Sequence, residues 1–422
     1  MIPMAERFWI ETLGCPKNQV DSEKLSGKLT ADGMAPALNA DEADLVVVNT
    51  CAFIEEARQE SIDTVLALVD VRKTGARLVV TGCMAERYGS ELAEALPEVD
   101  QVAGFGVPVT LSIKSGRRGG PPLPSFDLLN LPRPKATAPW AYVKIAEGCD
   151  RSCGFCAIPS FRGPQRSRTK QSILDEVREL DTKEIVLVAQ DLASYGKDDA
   201  SLGAGSIVDL VQQVSALVPR TRLLYLYPSD LSDALIDVIL GSGVPYFDLS
   251  LQHVSKPLLR RMRRWGDGDR FLKRIADIRA RHDQAAFRSN FIVGYPGETE
   301  ADHDQMLAFI EAAQLDWCGF FAYSPEEGTH AYTLDGAVAK TLMAERLAEL
   351  REMQDRITAA RRDDLIGATV EVLVDEAGVG RTFREAPEID GVVLVSELLE
   401  VGAFHTVTIT DAMGPDLVAT TA

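Results

Sequence analysis

The stretch GCDRSCGFC, residues 148–156, spaces Cys149, Cys153 and Cys156 as C-x3-C-x2-C directly after a predicted strand. Three thiols this close together are prone to oxidation unless something ligates them. A closed zinc site takes four ligands, and none of the five histidines of the chain is near this stretch. Three thiolates that leave one position vacant suit a cubane iron–sulfur cluster whose fourth iron stays open to substrate. The spacing therefore predicts a metal site of this kind.

A second group of three cysteines is spread over the first hundred residues. Cys15, Cys51 and Cys83 each stand just past a predicted strand and before a helical stretch. Because the carboxyl ends of parallel strands lie on one edge of a sheet, where ligands bind, the three can converge although they are far apart in sequence. The alternative is three small buried apolar side chains. Two Cys-only zinc sites would need eight thiols where the chain has seven, so we interpret this trio as a second iron–sulfur site and Cys318 as a core residue.

The amino-acid composition limits the classes of protein to which the chain can belong. The chain has 422 residues, of which 46% are hydrophobic and 25% are charged, so it can form buried cores, and its length suggests about three domains. Lys plus Arg number 44 against 63 Asp plus Glu, a formal charge of −19, which excludes a generally basic nucleic-acid coat and points towards cationic partners. With no apolar signal core and no run of about 18 apolar residues, we expect a cytoplasmic protein without a membrane segment.

The N-terminal part, residues 1–106, alternates β-rich runs with helical patterns, which predicts an open, mostly parallel α/β sheet domain. Two of its strands are nearly continuous valine and leucine, as in a sheet buried on both faces. Residues 107–138 are interrupted by prolines and glycines and are predicted to form a linker or a wrapped arm. The candidate strands are 8–13, 44–49 and 77–81, and the candidate helices are 22–31, 54–71 and 84–96.

The central part, residues 139–362, repeats the β-α pattern and ends in a charged helix. Six strand-like runs separated by helical patterns favour a partial (β/α) barrel over a flat sheet. Residues 363–422 consist of short valine-rich runs between glycines, which predicts a small β-barrel. The six candidate strands of the central part are 141–145, 185–189, 223–227, 246–251, 288–293 and 319–323.

These features together resemble a known superfamily. The spacing of Cys149, Cys153 and Cys156, with Phe155 before the last thiol at the mouth of a β-α barrel, is similar to that of radical S-adenosylmethionine (SAM) enzymes. An upstream three-cysteine domain and a terminal β-barrel narrow the resemblance to the methylthiotransferases, over essentially the whole chain. The resemblance implies an N-terminal methylthiotransferase domain, a radical SAM core with a partial (β/α)6 barrel, and an OB-like TRAM domain.

The resemblance also implies the cofactors, which are two [4Fe-4S] clusters and SAM. In that family the first cysteine trio holds an auxiliary cluster and the second trio holds the reductive one. The open iron of the reductive cluster binds the methionine moiety of SAM, and one electron then gives a 5′-deoxyadenosyl radical that removes hydrogen from an unactivated carbon. The auxiliary cluster carries the sulfur, methylated by a further SAM, that this carbon captures. The protein supplies orientation and exclusion of water.

A glycine-rich turn follows a later strand of the predicted barrel. Residues 291–298, FIVGYPGE, resemble the segment of the superfamily that lies near the adenine, so Gly294, Pro296 and Gly297 are candidate SAM contacts. The alternative is an ordinary turn that enters a helix near Thr299.

Two other loops supply candidate cofactor-binding residues. Gln190 and Asp191 end the second predicted barrel strand, at the face where barrel sites form, although Asp191 could instead cap a helix. Arg168 belongs to the segment RGPQRSR, residues 162–168, whose cations could balance the clusters or the carboxylate of SAM. The alternative for this segment is a solvated basic loop.

The family that the chain resembles has two branches, one that acts on adenosine of tRNA and the RimO type, which acts on an aspartate of a ribosomal protein. The charge of the C-terminal part helps to choose between them. Residues 363–422 contain twelve Asp and Glu against Arg381 and Arg384, a balance of 2 − 12, or −10. RNA binding relies on Lys and Arg that neutralise phosphate, so this barrel should repel a tRNA and attract a basic ribosomal protein. The local sequences at 13–23, 251–253 and 323–329 also resemble the RimO type.

The sequence therefore predicts a three-domain enzyme that methylthiolates the β-carbon of an aspartate in the twelfth protein of the small ribosomal subunit. Its expected partners are this basic protein, SAM and a reductant such as flavodoxin or ferredoxin, with no membrane and no direct tRNA binding. The first alternative is a tRNA adenosine methylthiotransferase with the same cysteines. The alternative of another class is an iron–sulfur electron-transfer protein, which would bind no SAM. No side chain is assigned a catalytic role, because the clusters carry the chemistry.

Overall fold

The computed structural model describes residues 5–109, 127–203 and 205–421. The chain divides into two compact units: the first comprises Met1–Lys135, Glu147–Asp150 and Cys156–Arg168, and the second comprises Ala136–Ala146, Arg151–Phe155 and Thr169–Ala422. No helix among the described residues is long and apolar enough to cross a membrane. Most of the predicted linker, 107–138, lies outside the described residues, and the bounds of the four predicted segments stay predictions.

The first unit is built on a five-stranded parallel sheet in the order β2-β1-β3-β4-β5. Its central strands are apolar on both faces over residues 45–48 and 78–80 and are packed between helices, with Val46, Val47 and Val80 fully buried. The predicted open α/β sheet is confirmed. The elements are β1 (Arg7–Thr12), α1 (Pro16–Ala31), β2 (Ala35–Pro36), β3 (Leu45–Thr50), α2 (Glu55–Val71), β4 (Arg77–Gly82), α3 (Cys83–Ala95) and β5 (Gln101–Ala103).

Helix α1 begins six residues before the predicted start at residue 22, because Pro16 occupies a first-turn position, where its fixed φ suits a helix and its missing N–H costs nothing. The described end of the predicted linker packs on this helix. Lys24 is fully buried and donates to the carbonyl of Leu129 at 2.8 Å, and Arg133 forms an ion pair with Glu23. Residues 127–135 are therefore an arm held against α1 by polar contacts.

The second unit contains six parallel strands in the order β6-β9-β10 and β11-β12-β13. The two groups are joined by a parallel bridge between Leu226 and Leu249, and helices cover the apolar core, which confirms the partial (β/α)6 barrel. The strands after β5 are β6 (Trp140–Lys144), β7 (Ala146–Glu147), β8 (Arg166–Ser167), β9 (Glu184–Val188), β10 (Arg220–Leu223), β11 (Tyr246–Gln252), β12 (Ala286–Val293) and β13 (Trp317–Ala322). Strand β8 and helix α4 (Ile158–Arg162) belong to the first unit. The helices of the second unit are α5 (Lys170–Leu180), α6 (Ser206–Ser215), α7 (Asp233–Leu240), α8 (Lys256–Arg261), α9 (Gly268–Arg281), α10 (Glu300–Ala313) and α11 (Lys340–Asp363).

Five of the six barrel strands lie where the sequence predicts them, but the prediction for the third, 223–227, is wrong apart from Leu223. The strand is Arg220–Leu223, whose sequence Arg-Thr-Arg-Leu reads as polar although all four residues are buried. Arg222 is fully buried because it pairs with the equally buried carboxylate of Glu184 at 2.7 Å. The chain then leaves the strand at Tyr225, a non-glycine residue with φ of 64°.

The C-terminal part is a closed five-stranded barrel in the order β14-β15-β16-β18-β17, as predicted. Its small core contains Val372, Val393, Val407, Ile409 and Leu417. The strands are β14 (Thr369–Glu376), β15 (Val379–Arg381), β16 (Val393–Leu394), β17 (Phe404–Met413) and β18 (Asp416–Thr421).

One segment of this small barrel, Arg381 to Asp390, covers the amino ends of all six strands of the central barrel; we call it the closing segment. Each of those strands contacts it through a side chain among its first three residues. The sequence predicts two separate barrels, and the structure joins them through these buried polar contacts. They are Trp140 with Arg381, Tyr142 with the carbonyl of Pro387, Glu184 with Arg381, Arg222 with the carbonyl of Phe383, Tyr246 and Arg288 with Asp390, and Trp317 with the carbonyl of Arg384.

Candidate functional site

The first cysteine trio follows three neighbouring strands. Strands β1, β3 and β4 are adjacent in the sheet, with Thr12 opposite Asn49 and Thr50 opposite Gly82. Cys15 is the residue before α1, Cys51 follows β3, and Cys83 opens α3. The predicted convergence at the carboxyl edge of the sheet is thus what the strand order produces.

Two glycines with left-handed backbone allow the cysteines to approach. Gly14 has φ of 93°, and a Cβ there would lie 2.8 Å from Cβ of Cys51 and 2.9 Å from its sulfur. Gly82 has φ of 89°, and a Cβ there would overlap the side chain of Asn49. A side chain at either position would be strained, and one at position 14 would also push against Cys51.

The three thiols influence each other's ionisation. Burial raises the pKa of Cys51 to about 11, and the neighbouring thiols of Cys15 and Cys83 add to this rise. Burial also raises the pKa of Cys83, against the charge of Arg162. At Cys15 burial acts in the same upward direction, but the charge of Lys17 and the backbone N–H of Asn18 outweigh it and lower the pKa.

Arg162 lies at the centre of the polar contacts around this trio. Its Nη2 is 3.0 Å from the sulfur of Cys83 and 2.7 Å from Oδ1 of Asn18. Its Nη1 forms ion pairs with Asp21 at 3.1 Å and Glu147 at 3.0 Å. The guanidinium is buried.

The donors of this trio fit the cluster that the resemblance implies. Three soft sulfur donors lie at one edge of the sheet, and the buried cation of Arg162 would offset the charge of their thiolates when a cluster is bound. This environment suits an anionic iron–sulfur cluster. Among residues 5–109, 127–203 and 205–421, no three His, Cys, Asp or Glu side chains are arranged to hold a single metal ion.

The second trio occupies the loop after β7. The N–H of Cys149 donates to the carbonyl of Gly163 at 3.1 Å. Arg264 has its Nη1 3.4 Å from the sulfur of Cys153. The N–H of Gly154 donates to the carbonyl of Met262, and the carbonyl of Gly154 accepts from the N–H of Ala331, both at 2.7 Å. The grouping of Cys149, Cys153 and Cys156 on one cluster stays a prediction from their spacing.

The glycine-rich turn follows β12 as predicted. Gly294 and Gly297 have φ of 82° and 89°, which only glycine adopts readily. The N–H of Gly294 donates to Oε2 of Glu298 at 2.6 Å, and Arg346 donates to Oε1 of the same carboxylate at 2.7 Å. Thr299 caps α10 in a capping box with Asp302, so the turn also enters a helix in the ordinary way.

Pro296 lies between these two glycines, and the N–H of Gly297 donates to the carbonyl of Gly336 at 2.7 Å. The turn is therefore fixed from two sides, by Glu298 and by the backbone near residue 336. That rigidity is compatible with a ligand-binding role for Gly294, Pro296 and Gly297, which stays a prediction.

Gln190 and Asp191 lie just after β9, at the carboxyl ends of the barrel strands. Asp191 is buried and pairs with Arg151 at 2.5 Å, while the hydroxyl of Ser194 donates to it at 2.7 Å. Asp191 stands before a short 3₁₀ turn but does not cap it through its side chain. Arg151 in turn stacks on the ring of Tyr227, 4.0 Å from its centroid.

The segment 162–168 is not a solvated basic loop. Arg162 and Arg168 are buried, and only Arg166 is exposed. Gln165 is also buried, and neither polar atom of its side chain has a hydrogen-bond partner among the described residues. A buried amide in this state is what a bound ligand would satisfy.

Sequence reasoning missed three residues of these sites. The sequence names Arg162 only as part of the basic segment 162–168 and Glu298 only as the last residue of the glycine-rich motif, and it gives no signal for Arg264. Each acts through a partner that is distant in sequence, and a buried charge is indistinguishable from a surface charge before the fold is known.

Three family profiles match the chain in the order of its domains. The uncharacterized protein family UPF0004 matches residues 7–104, the radical SAM superfamily matches 143–310, and the TRAM domain matches 366–421. Together they cover the sheet of the first unit, most of the central barrel and the small C-terminal barrel.

Curated relatives match over nearly the full length. The ribosomal protein uS12 methylthiotransferase RimO of Kineococcus radiotolerans is 41% identical over 97% of this chain and 96% of its own. The proteins of the same name from Streptomyces coelicolor and Aquifex aeolicus are each 40% identical, over 99% and 97% of this chain and 97% and 96% of their own. Among solved structures, the cobalamin-dependent SAM radical enzyme OxsB aligns with a TM-score of 0.47 at 10% identity, over 84% of this chain and 56% of its own.

Proposed function

Because the chain belongs to the RimO family of radical SAM methylthiotransferases, as its full-length relatives at about 40% identity show, we propose that it methylthiolates the β-carbon of an aspartate in ribosomal protein uS12. The family makes the chain an enzyme that uses SAM and iron–sulfur chemistry. We propose two [4Fe-4S] clusters, one on Cys15, Cys51 and Cys83 and one on Cys149, Cys153 and Cys156. The observation that supports this most is the strand order, in which three adjacent strands are each followed within three residues by a cysteine.

When bound, the clusters and SAM would supply one-electron cleavage of SAM and a sulfur atom for an unactivated carbon, as the resemblance implies. The residues of the chain hold, orient and shield these groups. Gly14 and Gly82 leave space for the first trio, and Glu298 fixes the turn that would face the adenine. Gln165 offers a buried amide without a partner beside the loop that carries Cys149.

The surface of the C-terminal barrel supports a basic protein as the substrate. Within 363–421 the structure shows eight exposed acidic side chains and no exposed Lys or Arg. Arg381 and Arg384, the two cations of this segment, are buried, and Arg381 is paired with Asp375 and Glu184. The exposed side chains of this segment therefore carry a charge of −8 with no cation among them, which opposes binding of RNA phosphates. The exposed acids are Asp363, Asp364, Glu371, Glu376, Glu388, Glu397, Glu400 and Asp411.

The closing segment gives this surface a particular role. It joins the small barrel to the amino ends of the central strands, whereas Gln190 and the Gly294 turn follow carboxyl ends. The acidic surface would thus bind a part of the substrate remote from the reacting aspartate. Such contacts should govern substrate binding rather than the chemical step.

The test is methylthiolation by the reconstituted full chain with SAM and reduced flavodoxin or ferredoxin, the class of reductant we propose. Purified uS12, assembled small subunits and tRNA are offered separately, and products are identified by mass spectrometry. A methylthio group in place of a β-hydrogen of one aspartate supports the proposal. Methylthiolated adenosine with unmodified uS12 would overturn it, and absence of 5′-deoxyadenosine would favour an electron carrier.

A further inference from the structure

Arg162 and Arg166 belong to the same basic segment, 162–168, but their surroundings differ. Residues Arg162 and Arg166 lie four positions apart, yet Arg162 is buried and Arg166 is exposed. Arg166 pairs only loosely with Asp127, at 3.4 Å. A buried guanidinium is costly unless every contact compensates for lost hydration, so the position of Arg162 requires a set of strong partners.

Those partners all lie within the first unit. One terminal nitrogen reaches the sulfur of Cys83 at 3.0 Å, and the other pairs with Glu147, two residues before Cys149, at 3.0 Å. Asp21 at 3.1 Å completes the ion pairs. The face of the guanidinium lies over the ring of Phe105, 4.2 Å from its centroid. Planarity and a fixed fork of donors allow Arg to make all these contacts, and Lys could not.

We propose that Arg162 is a positioning residue that holds the Cys83 sulfur by a charge-assisted hydrogen bond and so raises the reduction potential of a cluster bound to Cys15, Cys51 and Cys83. This inference rests on the proposed function, because it assumes a cluster at that trio. Hydrogen bonds to ligand sulfur and a nearby cation both stabilise the more negative, reduced state of a cluster. The two carboxylates on the other nitrogen hold the guanidinium in place for this contact.

The test uses the full chain with Cys149, Cys153 and Cys156 replaced by Ala, so that only the first site can bind iron. R162M, R162K and R166M are made in this background, reconstituted anaerobically and titrated by electron paramagnetic resonance. R162M is expected to lower the equilibrium constant for one-electron reduction of the cluster about tenfold. This corresponds to a shift of the reduction potential by about 59 mV to a more negative value. R162K, which keeps the charge but not the fork, should shift less, and R166M should match the parent.

Equal potentials in the parent, R162M and R162K would overturn the inference while leaving the cluster assignment intact. A parent that binds no iron would overturn the cluster assignment and the inference together. If R162M does not fold, the comparison of R162K with R166M decides. Loss of iron without a change in the potential of the remaining cluster would mean that Arg162 is merely structural.

Discussion

Glu298 accepts a hydrogen bond of 2.6 Å from the backbone N–H of Gly294 and so fixes the first residue of the glycine-rich turn. Burial raises the pKa of Glu298, while the Gly294 N–H and Arg346 act against this rise. Because Arg346 occupies the other oxygen at 2.7 Å, the carboxylate has a specific partner on each side. The turn thus depends on both oxygens of one side chain.

E298Q should weaken SAM binding. A Gln side chain can accept from only one of the two donors, so Gly294 or Arg346 would lose its acceptor, at a cost of about 1–3 kcal/mol. We expect the dissociation constant for SAM to rise roughly tenfold, as measured by equilibrium dialysis of the reconstituted enzyme. The control is E300Q, because Glu300 binds the same arginine at 2.9 Å but is largely exposed. Equal SAM affinity of E298Q and the parent would contradict the role of this turn.

G14A should abolish the first metal site. The new Cβ would lie 2.8 Å from Cβ of Cys51, so the trio must spread. The matched control is G33A, because Gly33 has φ of 94° but nothing within 4 Å of a new Cβ. Both variants carry about 1–2 kcal/mol of backbone strain, but only G14A should lose about half of the iron. If G33A loses as much iron as G14A, the loss comes from strain alone and the packing argument is wrong.

Glu184 should make folding depend on pH. Burial would raise its pKa, but Arg222, Arg381 and Arg220 outweigh burial and lower the pKa to about 2. A carboxyl whose pKa is lower in the folded than in the unfolded state stabilises the folded protein at pH values above its unfolded pKa. This contribution to stability is lost as the pH falls from about 4.5 towards 2. E184Q should therefore lower the unfolding free energy by roughly 3–5 kcal/mol at pH 7, since it leaves buried arginines unpaired.

The measurement is urea unfolding of the full chain at pH 7, 4 and 3, where the difference between E184Q and the parent should shrink as the pH falls. The control is E371Q, because Glu371 contacts Arg220 from a largely exposed position and should change stability by less than about 1 kcal/mol. A difference between E184Q and the parent that stays constant down to pH 3 would count against this assignment.

Charge reversal on the small barrel should impair substrate binding selectively. The double variant E397K/E400K places two cations on the exposed acidic surface and should raise KM for uS12 several-fold, with a steep dependence on salt. Because the surface is joined to the amino ends of the barrel strands, kcat should stay near the parent value. The control is E91K/E94K on α3, where both acids are also exposed. Unchanged KM in E397K/E400K would remove the charge argument for a basic substrate.

Much of the fold can be read from the sequence because its strands are apolar and its cysteines follow them. Residues 45–48 of β3 and 78–80 of β4 are continuous valine and leucine, and Cys51 and Cys83 come directly after these strands. The spacing of strands and cysteines was therefore sufficient to predict a shared edge. The relatives confirm the family that the resemblance implied.

The parts of the structure that could not be predicted from the sequence depend on charged side chains that are buried. Strand β10 was misplaced because Arg220 and Arg222 look like surface residues until Glu184 and the closing segment are known. The same reason hid the contact of Arg162 with Cys83, which joins residues 79 positions apart. Hydrophobic periodicity carries no information about such pairs.

The most direct test of the central claim is the iron and acid-labile sulfide content of three anaerobically reconstituted chains: the parent, the Cys15/Cys51/Cys83→Ala variant and the Cys149/Cys153/Cys156→Ala variant. Two cubane clusters predict about eight irons in the parent and about four in each variant. About four irons in the parent, with none lost when Cys15, Cys51 and Cys83 are replaced, would show that this trio holds no cluster and would contradict the account.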